Sequence, residues 1–403
     1  MPSVLRRLLA CSFALLLAAC GNPGGSADAP KTRNTALDNL FPMEQAVGSQ
    51  AAFFVSLYRQ MDDEPNFVVS PYGISAVLTH LAVASGNEQL AVALRHPTSS
   101  EKLPRTYGLI TESLPFDAEV GVGIPSVENR IWAAEGENFA PAFLESDAAY
   151  RLHAANGAVA GADGAATLRD WLGSDVPGYT PGNGNLLLGT RARLDGPFLK
   201  PFVARLTQPK PFRVTDKITV ETPLTRTVDS YQVTHSHMGV DVVEVPYVGD
   251  ELALVLIVPR ETTDLDTVAA ALPDSLPVWM NRLSEGHVDL QIPKCTLTTN
   301  LDLGRVLQAL GAEDAFRADA GLPGVLESGP AALAGVFHHA EINFGEYGSN
   351  VTEPSPDAAP RLQGTRSRLF VQVPAERPFL FVVRDMRRGA WLLAGRIADP
   401  RKF

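Results

Sequence analysis

His338-His-Ala-Glu-Ile-Asn-Phe-Gly-Glu-Tyr-Gly-Ser349 is followed by an irregular, proline-punctuated run to Arg368, then by Leu369 to Pro374 and Glu376-Arg-Pro-Phe379. Two strand-like blocks therefore flank about twenty polar residues without an apolar period. A connection of that length, inside a sequence rich in packing residues, is expected to be a displayed functional loop.

The chain has 403 residues, 45% of them hydrophobic and 20% charged. That is enough to bury one large core or two ordinary ones. The formal net charge is −11 and no basic stretch is present. Nucleic acid is excluded as a default partner, because no cationic surface can displace counterions from a phosphate backbone. Ordinary solubility accounts for the acidity.

Arg6-Arg7 and the apolar run Leu8 to Ala19 have the charged region and short greasy core of an export signal. The run falls short of the ~20 apolar residues that cross a bilayer. It closes with Leu17-Ala-Ala-Cys20 before Gly21, which resembles the lipobox of bacterial lipoproteins. That resemblance implies a signal peptide over 1–19, lipidation of Cys20 and anchoring to the bacterial cell envelope. The absence of aspartate after Cys20 favours the outer membrane. Cys11 would leave with the signal and Cys20 carry the lipid, so Cys295 stands alone and no intramolecular disulfide is expected. The stretch to Ala36, rich in Gly, Pro, Ser and Ala, reads as a flexible tether over 20–36. The globular part is then 37–403.

Gln45 to Met61 places Phe54, Leu57, Tyr58 and Met61 at helical spacing. Asn66 to Val69 is a short buried strand meeting a helix start, with Ser70 as cap and Pro71 at the first helical position. Ile74, Val77, Leu78 and Leu81 form the inner stripe of that helix and Gly86 ends it. Ile131 and Trp132 lie in a strand; Phe143 to Tyr150 and Ala165 to Leu172 read as helical. Glu251 to Val258 is a nearly continuous apolar run, expected to be buried on both faces. His287 to Ile292 alternates, with Val288, Leu290 and Ile292 inward. A helix is expected from Leu301 to Leu310, stopped by Gly311. Phe379 to Val383 and Trp391 to Ile397 form two strands joined by a turn through Arg387, Arg388 and Gly389. Helices come mostly first and strands mostly last, which indicates a single mixed α+β domain.

The order of blocks resembles the serpin family over nearly the whole globular part. The matching residues are Phe53 to Met61, Asn66 with Ser70-Pro71 and Ile74, Val127-Glu-Asn-Arg-Ile-Trp132, Pro201-Phe202, Val245-Pro-Tyr247, Pro293-Lys294, Leu303 to Gly311 with Phe316, His338, Glu346 with Gly348-Ser349, Arg377-Pro-Phe379 and Gly395-Arg396 with Pro400. The resemblance implies a large central mixed sheet, two further sheets, surrounding helices and an exposed reactive loop over about 346–370. It implies an inhibitor, not a hydrolase, acting on serine proteases or on cysteine proteases. The loop serves as bait and, once cleaved, enters the central sheet as a new strand, trapping the acylated protease. No cofactor is implied, and a monomer is expected.

Carried over residue by residue, Glu346, Gly348 and Ser349 match the loop hinge. Ser70 and His338 match a polar cluster under the sheet opening, where Gly73 and Thr190 stand for the family's serine and asparagine. Phe198 stands for its tryptophan near the insertion point, and Glu376 for an aspartate or asparagine. Counting forward from the hinge places the bait bond near Arg361 or Leu362, and counting back from Pro378 places it near Arg366 or Ser367. Either register offers arginine to a trypsin-like protease.

The run Asn350-Val-Thr-Glu-Pro-Ser-Pro356 departs from the small residues of inhibitory members. With Ser349 inward, strand period two turns Val351, Glu353 and Ser355 inward too. Glu353 would bury a carboxylate at a cost of several kcal/mol. Pro354 and Pro356 lack the N–H that a central strand donates. A non-inhibitory binding protein or a mere protease substrate is therefore the alternative.

Other chemistries fit less well. Gly73-Ile-Ser-Ala-Val77 lacks the last glycine of a nucleophile elbow. Ser99-Ser-Glu-Lys102 has the spacing of penicillin-recognising enzymes without their other motifs. His235-Ser-His237 and His338-His339 have no acidic or cysteine partner at ligand spacing, so no metal is expected. Phosphate-binding glycine loops are absent. Asn350-Val-Thr352 is a glycosylation sequon that lapses in a bacterial setting.

Overall fold

The computed structural model describes residues 35–96, 102–115, 123–145, 152–176, 178–236, 238–260, 263–319, 321–355, 357–358 and 370–403. Cys20, the bait-bond candidates Arg361, Leu362, Arg366 and Ser367, and His237 and Pro356 lie outside them.

The chain runs through α1 (Thr35–Gln60), β1 (Asn66–Val69), α2 (Pro71–Ser85), α3 (Glu88–Ala93), α4 (Leu103–Ser113), β2 (Ile124–Ala133), α5 (Pro141–Leu144), β3 (Leu152–Asn156), α6 (Gly161–Leu172) and β4 (Leu186–Pro197). Next come β5 (Gln208–Thr215), β6 (Ile218–Ser236), β7 (Val240–Pro246), β8 (Leu252–Pro259), α7 (Leu265–Met280), β9 (Ser284–Pro293), β10 (Cys295–Asp302) and α8 (Leu303–Ala309). The last elements are β11 (Leu322–Leu326), β12 (Gly329–Ala331), β13 (Leu333–Phe344), β14 (Gly348–Ser349), β15 (Phe370–Pro374), β16 (Phe379–Asp385) and β17 (Trp391–Ile397). Strands are spread along the chain, which corrects the reading of helices first and strands last.

Local chemistry sets several of these boundaries. Ser70 Oγ accepts the Gly73 N–H at 3.0 Å and caps α2. Pro71 follows at the first turn, and Gly86 closes the helix with φ 64°. Residues 252–259 are buried throughout because β8 lies inside a nine-stranded sheet. Val288, Leu290 and Ile292 do point inward in β9, but Asp289 is buried as well, its carboxylate gripped by Arg226 at 2.7 and 2.8 Å. The helix expected from Leu301 begins at Leu303, since Leu301 still pairs with His338 in the β10–β13 ladder.

Three sheets result, as the resemblance implies. The nine-stranded one has the order β1-β17-β16-β8-β7-β6-β9-β15, with β5 added on β6. The six-stranded one has the order β10-β13-β4-β2-β3, with β14 added on β4. β11 and β12 form the third. The inward faces of the two large sheets share one core, in which Val127, Leu194 and Ile342 meet Val243, Leu254 and Phe381. Phe344 stands edge-on to Phe381, with ring centres 5.0 Å apart. A second core joins α1, α2 and α7 to the lower half of the six-stranded sheet. No helix among the described residues is long and apolar enough to cross a membrane.

Candidate functional site: a parallel seam with a strand seated in its mouth

β13 and β4 are central in the six-stranded sheet and run parallel, from Leu333 opposite Leu186 to Glu341 opposite Arg193. Each has an antiparallel outer neighbour, β10 and β2. A strand of the opposite direction placed between them would make this centre antiparallel throughout, the more favourable ladder. The seam is thus the place in the sheet where one more strand fits.

The seam is fastened from below by a single imidazole. The backbone N–H of Ser70 donates to His338 Nε2 at 3.1 Å. Nε2 is therefore unprotonated, and Nδ1–H donates to Thr190 Oγ1 at 2.5 Å. Thr190 and His338 are directly opposed across the seam, so the ring ties β13 to β4 and both to the cap of α2. Burial, with a smaller contribution from His339, drives the His338 pKa down to about 3 and keeps the ring neutral. Gly73 completes the cluster by having no side chain, since a Cβ there would lie 2.9 Å from both Ser70 Oγ and Val127 Cγ1. Ser70, Gly73, Thr190 and His338 are thus brought together.

Above Glu341 the strands part, and the hinge fills the opening. The Gly345 N–H donates to the Gly348 carbonyl at 3.0 Å, turning the chain back on itself. β14 then pairs antiparallel with β4, Gly348 opposite Pro197 and Ser349 opposite Gly196. Gly348 is required here. Its φ is +149°, and a Cβ would stand 2.1 Å from the Gly196 carbonyl oxygen. Ser349 is fully buried and its hydroxyl lies 2.8 Å from that of Tyr247.

Neighbouring groups hold the turn. The carbonyls of Glu346 and Tyr347 accept the N–H groups of Phe202 (2.7 Å) and Phe198 (2.8 Å). Phe198 packs against Tyr247 in a tilted arrangement, with ring centres 5.1 Å apart. The Glu346 carboxylate meets Lys294 at 2.9 Å and Thr207 at 3.0 Å. Partial burial raises its pKa, but Lys294 and the surrounding hydrogen bonds outweigh that and hold it below the ordinary carboxylate range. Glu346, Gly348, Ser349 and Phe198 thus converge at the mouth, about eight strand residues above the His338 cluster. Lys294, Tyr247 and Phe202 stood in the matching sequence blocks, but nothing local marked them as hinge contacts. Thr207 carried no signal.

β14 stops at Ser349. Asn350 takes a left-handed φ of +54°, and its carboxamide donates to the Leu194 carbonyl at 3.0 Å. The side chain thus uses an acceptor that a continuing strand would need. Thr352, Glu353 and Pro354 are exposed.

No cluster of metal-binding side chains exists among the described residues, which leave out His237. His235 pairs with Asp241 at 2.5 Å, and Arg260 reaches the same carboxylate at 2.7 Å. His339 bonds Asn300 at 2.8 Å. Cys295 is buried, and burial pushes its thiol pKa up, so it stays protonated.

The parallel seam and the short strand at its mouth belong to a recognisable class of fold. The family model for serpins, described as serine protease inhibitors, matches residues 176–400. The chain belongs to the serpin family, a family of protease inhibitors rather than hydrolases. It is 29% identical to thyroxine-binding globulin of Rattus norvegicus over 50% of this chain, and 31% identical to neuroserpin of Rattus norvegicus over 40% of it. Those matches span 48% and 38% of the relatives' own lengths, about half or less. Serpin B8 of Bos taurus is matched over its full length and 89% of this chain, at 25% identity. Among solved structures, human thyroxine-binding globulin complexed with thyroxine superposes with TM-score 0.77 at 19% identity, covering 90% of this chain and 99% of that one. A tumour-suppressing serpin gives TM-score 0.74 at 17% identity, covering 89% and 100%.

Proposed function

We propose that the protein is a lipid-anchored inhibitor of trypsin-like serine proteases at the bacterial cell envelope, acting by cleavage of the displayed loop and insertion of its hinge side into the seam. One observation carries this reading. The seam is parallel, and the first two residues of the incoming strand already occupy its mouth in the antiparallel sense. The arginines at 361 and 366 supply bait for a protease with an acidic specificity pocket. Leu17 to Cys20 supports the anchor. Incubation with trypsin followed by a denaturing gel tests inhibition. A covalent species heavier than the protease is expected, whereas clean loop cleavage with trypsin still active would overturn the reading. Release of the exported protein into solution by Cys20→Ala tests the anchor.

A second reading, a non-inhibitory binding protein, rests on a separate feature. A cavity of about 850 Å³ lies between α1, α7 and the β16–β17 turn. Its lining includes Met43, Val47, Leu276, Met280 and Trp391 together with Arg384, Arg387 and Arg388, of which Arg384 and Arg387 already pair with Glu244 and Glu251. The Arg388 Nε is buried and without a hydrogen-bond partner among the described residues. Such a site suits an apolar carboxylic acid, and thyroxine is a natural probe given the globulin relatives. Quenching of Trp391 fluorescence that is lost in Arg388→Ala would support it, and an unchanged spectrum would remove it.

A further inference from the structure

Continuing the β14 ladder down β4 fixes which loop residues would line the seam. Ser349 is opposite Gly196, so antiparallel pairing puts Val351 opposite Leu194, Glu353 opposite Ala192, Ser355 opposite Thr190 and Asp357 opposite Leu188. Opposed residues share a face, and this face is the core. On the far side of the slot, Ala192, Thr190 and Leu188 are matched by Ala340, His338 and Val336. All six are buried. Two carboxylates four residues apart would therefore be carried from solvent, where both are now exposed, into apolar positions on either side of the His338 ring.

We infer that insertion of the loop takes up protons and is favoured by acid. This rests on the insertion reading above. Among the described residues, few titratable groups belong to the inward side of the elements around the slot. His338 lies on β13, Tyr72 and His80 on α2, and Cys295 on β10, and none of them carries positive charge near neutrality. The charges of the same strands, Arg191 and Arg193 on β4, Glu128 and Arg130 on β2, and His339 and Glu341 on β13, lie on the opposite face, beneath or beside α6. Arg396 on β17 is buried but already donates to the Met61 and Glu64 carbonyls, so among the described residues no free cation awaits Glu353 or Asp357. Each carboxylate enters as the neutral acid or against a protonated His338, and either route binds a proton. Linkage then gives the sign. The inserted state holds more protons, so the insertion equilibrium rises as pH falls, by up to roughly tenfold per pH unit for each proton taken up.

The test compares heat stability of the full chain before and after trypsin nicks the loop, at about pH 5 and about pH 8, for the natural sequence and for the double variant Glu353→Gln with Asp357→Asn. The natural chain is expected to gain roughly 10 °C or more on cleavage at the lower pH and little at the higher one. The double variant is expected to gain at both. An equal gain of the natural chain at both pH values, or a double variant that keeps the pH dependence, overturns acid dependence and leaves insertion standing. No gain by either protein at either pH overturns insertion itself, and this inference with it.

Discussion

The four residues 346–349 and the run that follows them are adjacent in sequence and opposite in behaviour. The first set is fastened at the mouth of the seam through a carboxylate–lysine pair, two backbone hydrogen bonds, a glycine nothing else can replace and a buried serine. The second set leaves the ladder at once, turned out by the left-handed Asn350, and carries Glu353, Pro354 and Asp357. Being held at an opening and being able to travel through it are thus separate properties, encoded by different residues. On the proposed insertion reading, residues 346–349 would supply a start, and the chemistry of the residues after them would set how far and under what conditions the strand proceeds.

The largest change should follow Gly348→Val. A branched side chain has no room against Gly196 and Pro197, so β14 should leave the mouth, at a cost of about 2–4 kcal/mol. Urea unfolding would register the loss, and the loop should be cleaved faster. This variant would erase the contrast by freeing both regions.

Thr190→Val acts lower down, on the closed part of the seam. It leaves the His338 Nδ1–H without its acceptor, at a cost of about 1–3 kcal/mol. A seam held less firmly should also take up a cleaved loop faster, and stopped-flow fluorescence can follow this.

Acid tests the same fastening without mutation. His338, His80 and His96 are held by burial at pKa values of about 3, 4 and 4, against 6.5 in the unfolded chain. The unfolded state therefore binds more protons below pH 6.5, and stability of the intact protein should fall steadily from there toward pH 4. The sign is opposite to that expected for the insertion step, so the intact protein should lose stability over the pH range in which the gain on cleavage grows. A melting temperature flat across that range would contradict the neutral buried histidines.

The smallest effect belongs to Glu346→Gln. Lys294 is half exposed, and such pairs contribute about 0.5–1 kcal/mol, screened by salt. The variant should match the natural protein at high ionic strength and fall below it at low.

Much of the frame was legible because its signals are local. The Ser70 cap, Pro71 and Gly86 bound α2 in sequence as they do in space, and the apolar run of β8 states its own burial. Strands whose partners lie far along the chain were harder to read. The 19-residue β6 alternates threonines, charges and apolar residues because it serves several neighbours, and its polarity hid it. Asp289 looked outward by period two, yet Arg226 from a neighbouring strand makes its burial affordable. At the site, the resemblance named Glu346, Gly348, Ser349 and the Ser70, Thr190 and His338 group, and the structure places them at two levels of one seam. Tyr247, Thr207 and Lys294 meet the hinge from 102, 139 and 52 residues away, a distance at which spacing carries no information. The turn at Asn350 was not legible in the sequence, since its left-handed backbone and borrowed acceptor appear only when β4 lies alongside.

The central claim is that the seam between β13 and β4 must part for the protein to act. Ala192 and Ala340 are directly opposed there, and neighbouring strands lie about 4.8 Å apart, within the span a disulfide can bridge. In the variant Ala192→Cys with Ala340→Cys, the oxidised protein should be cleaved by trypsin without forming a covalent complex or gaining heat stability, and reduction should restore both. Equal trapping in the oxidised and reduced forms would contradict insertion through this seam.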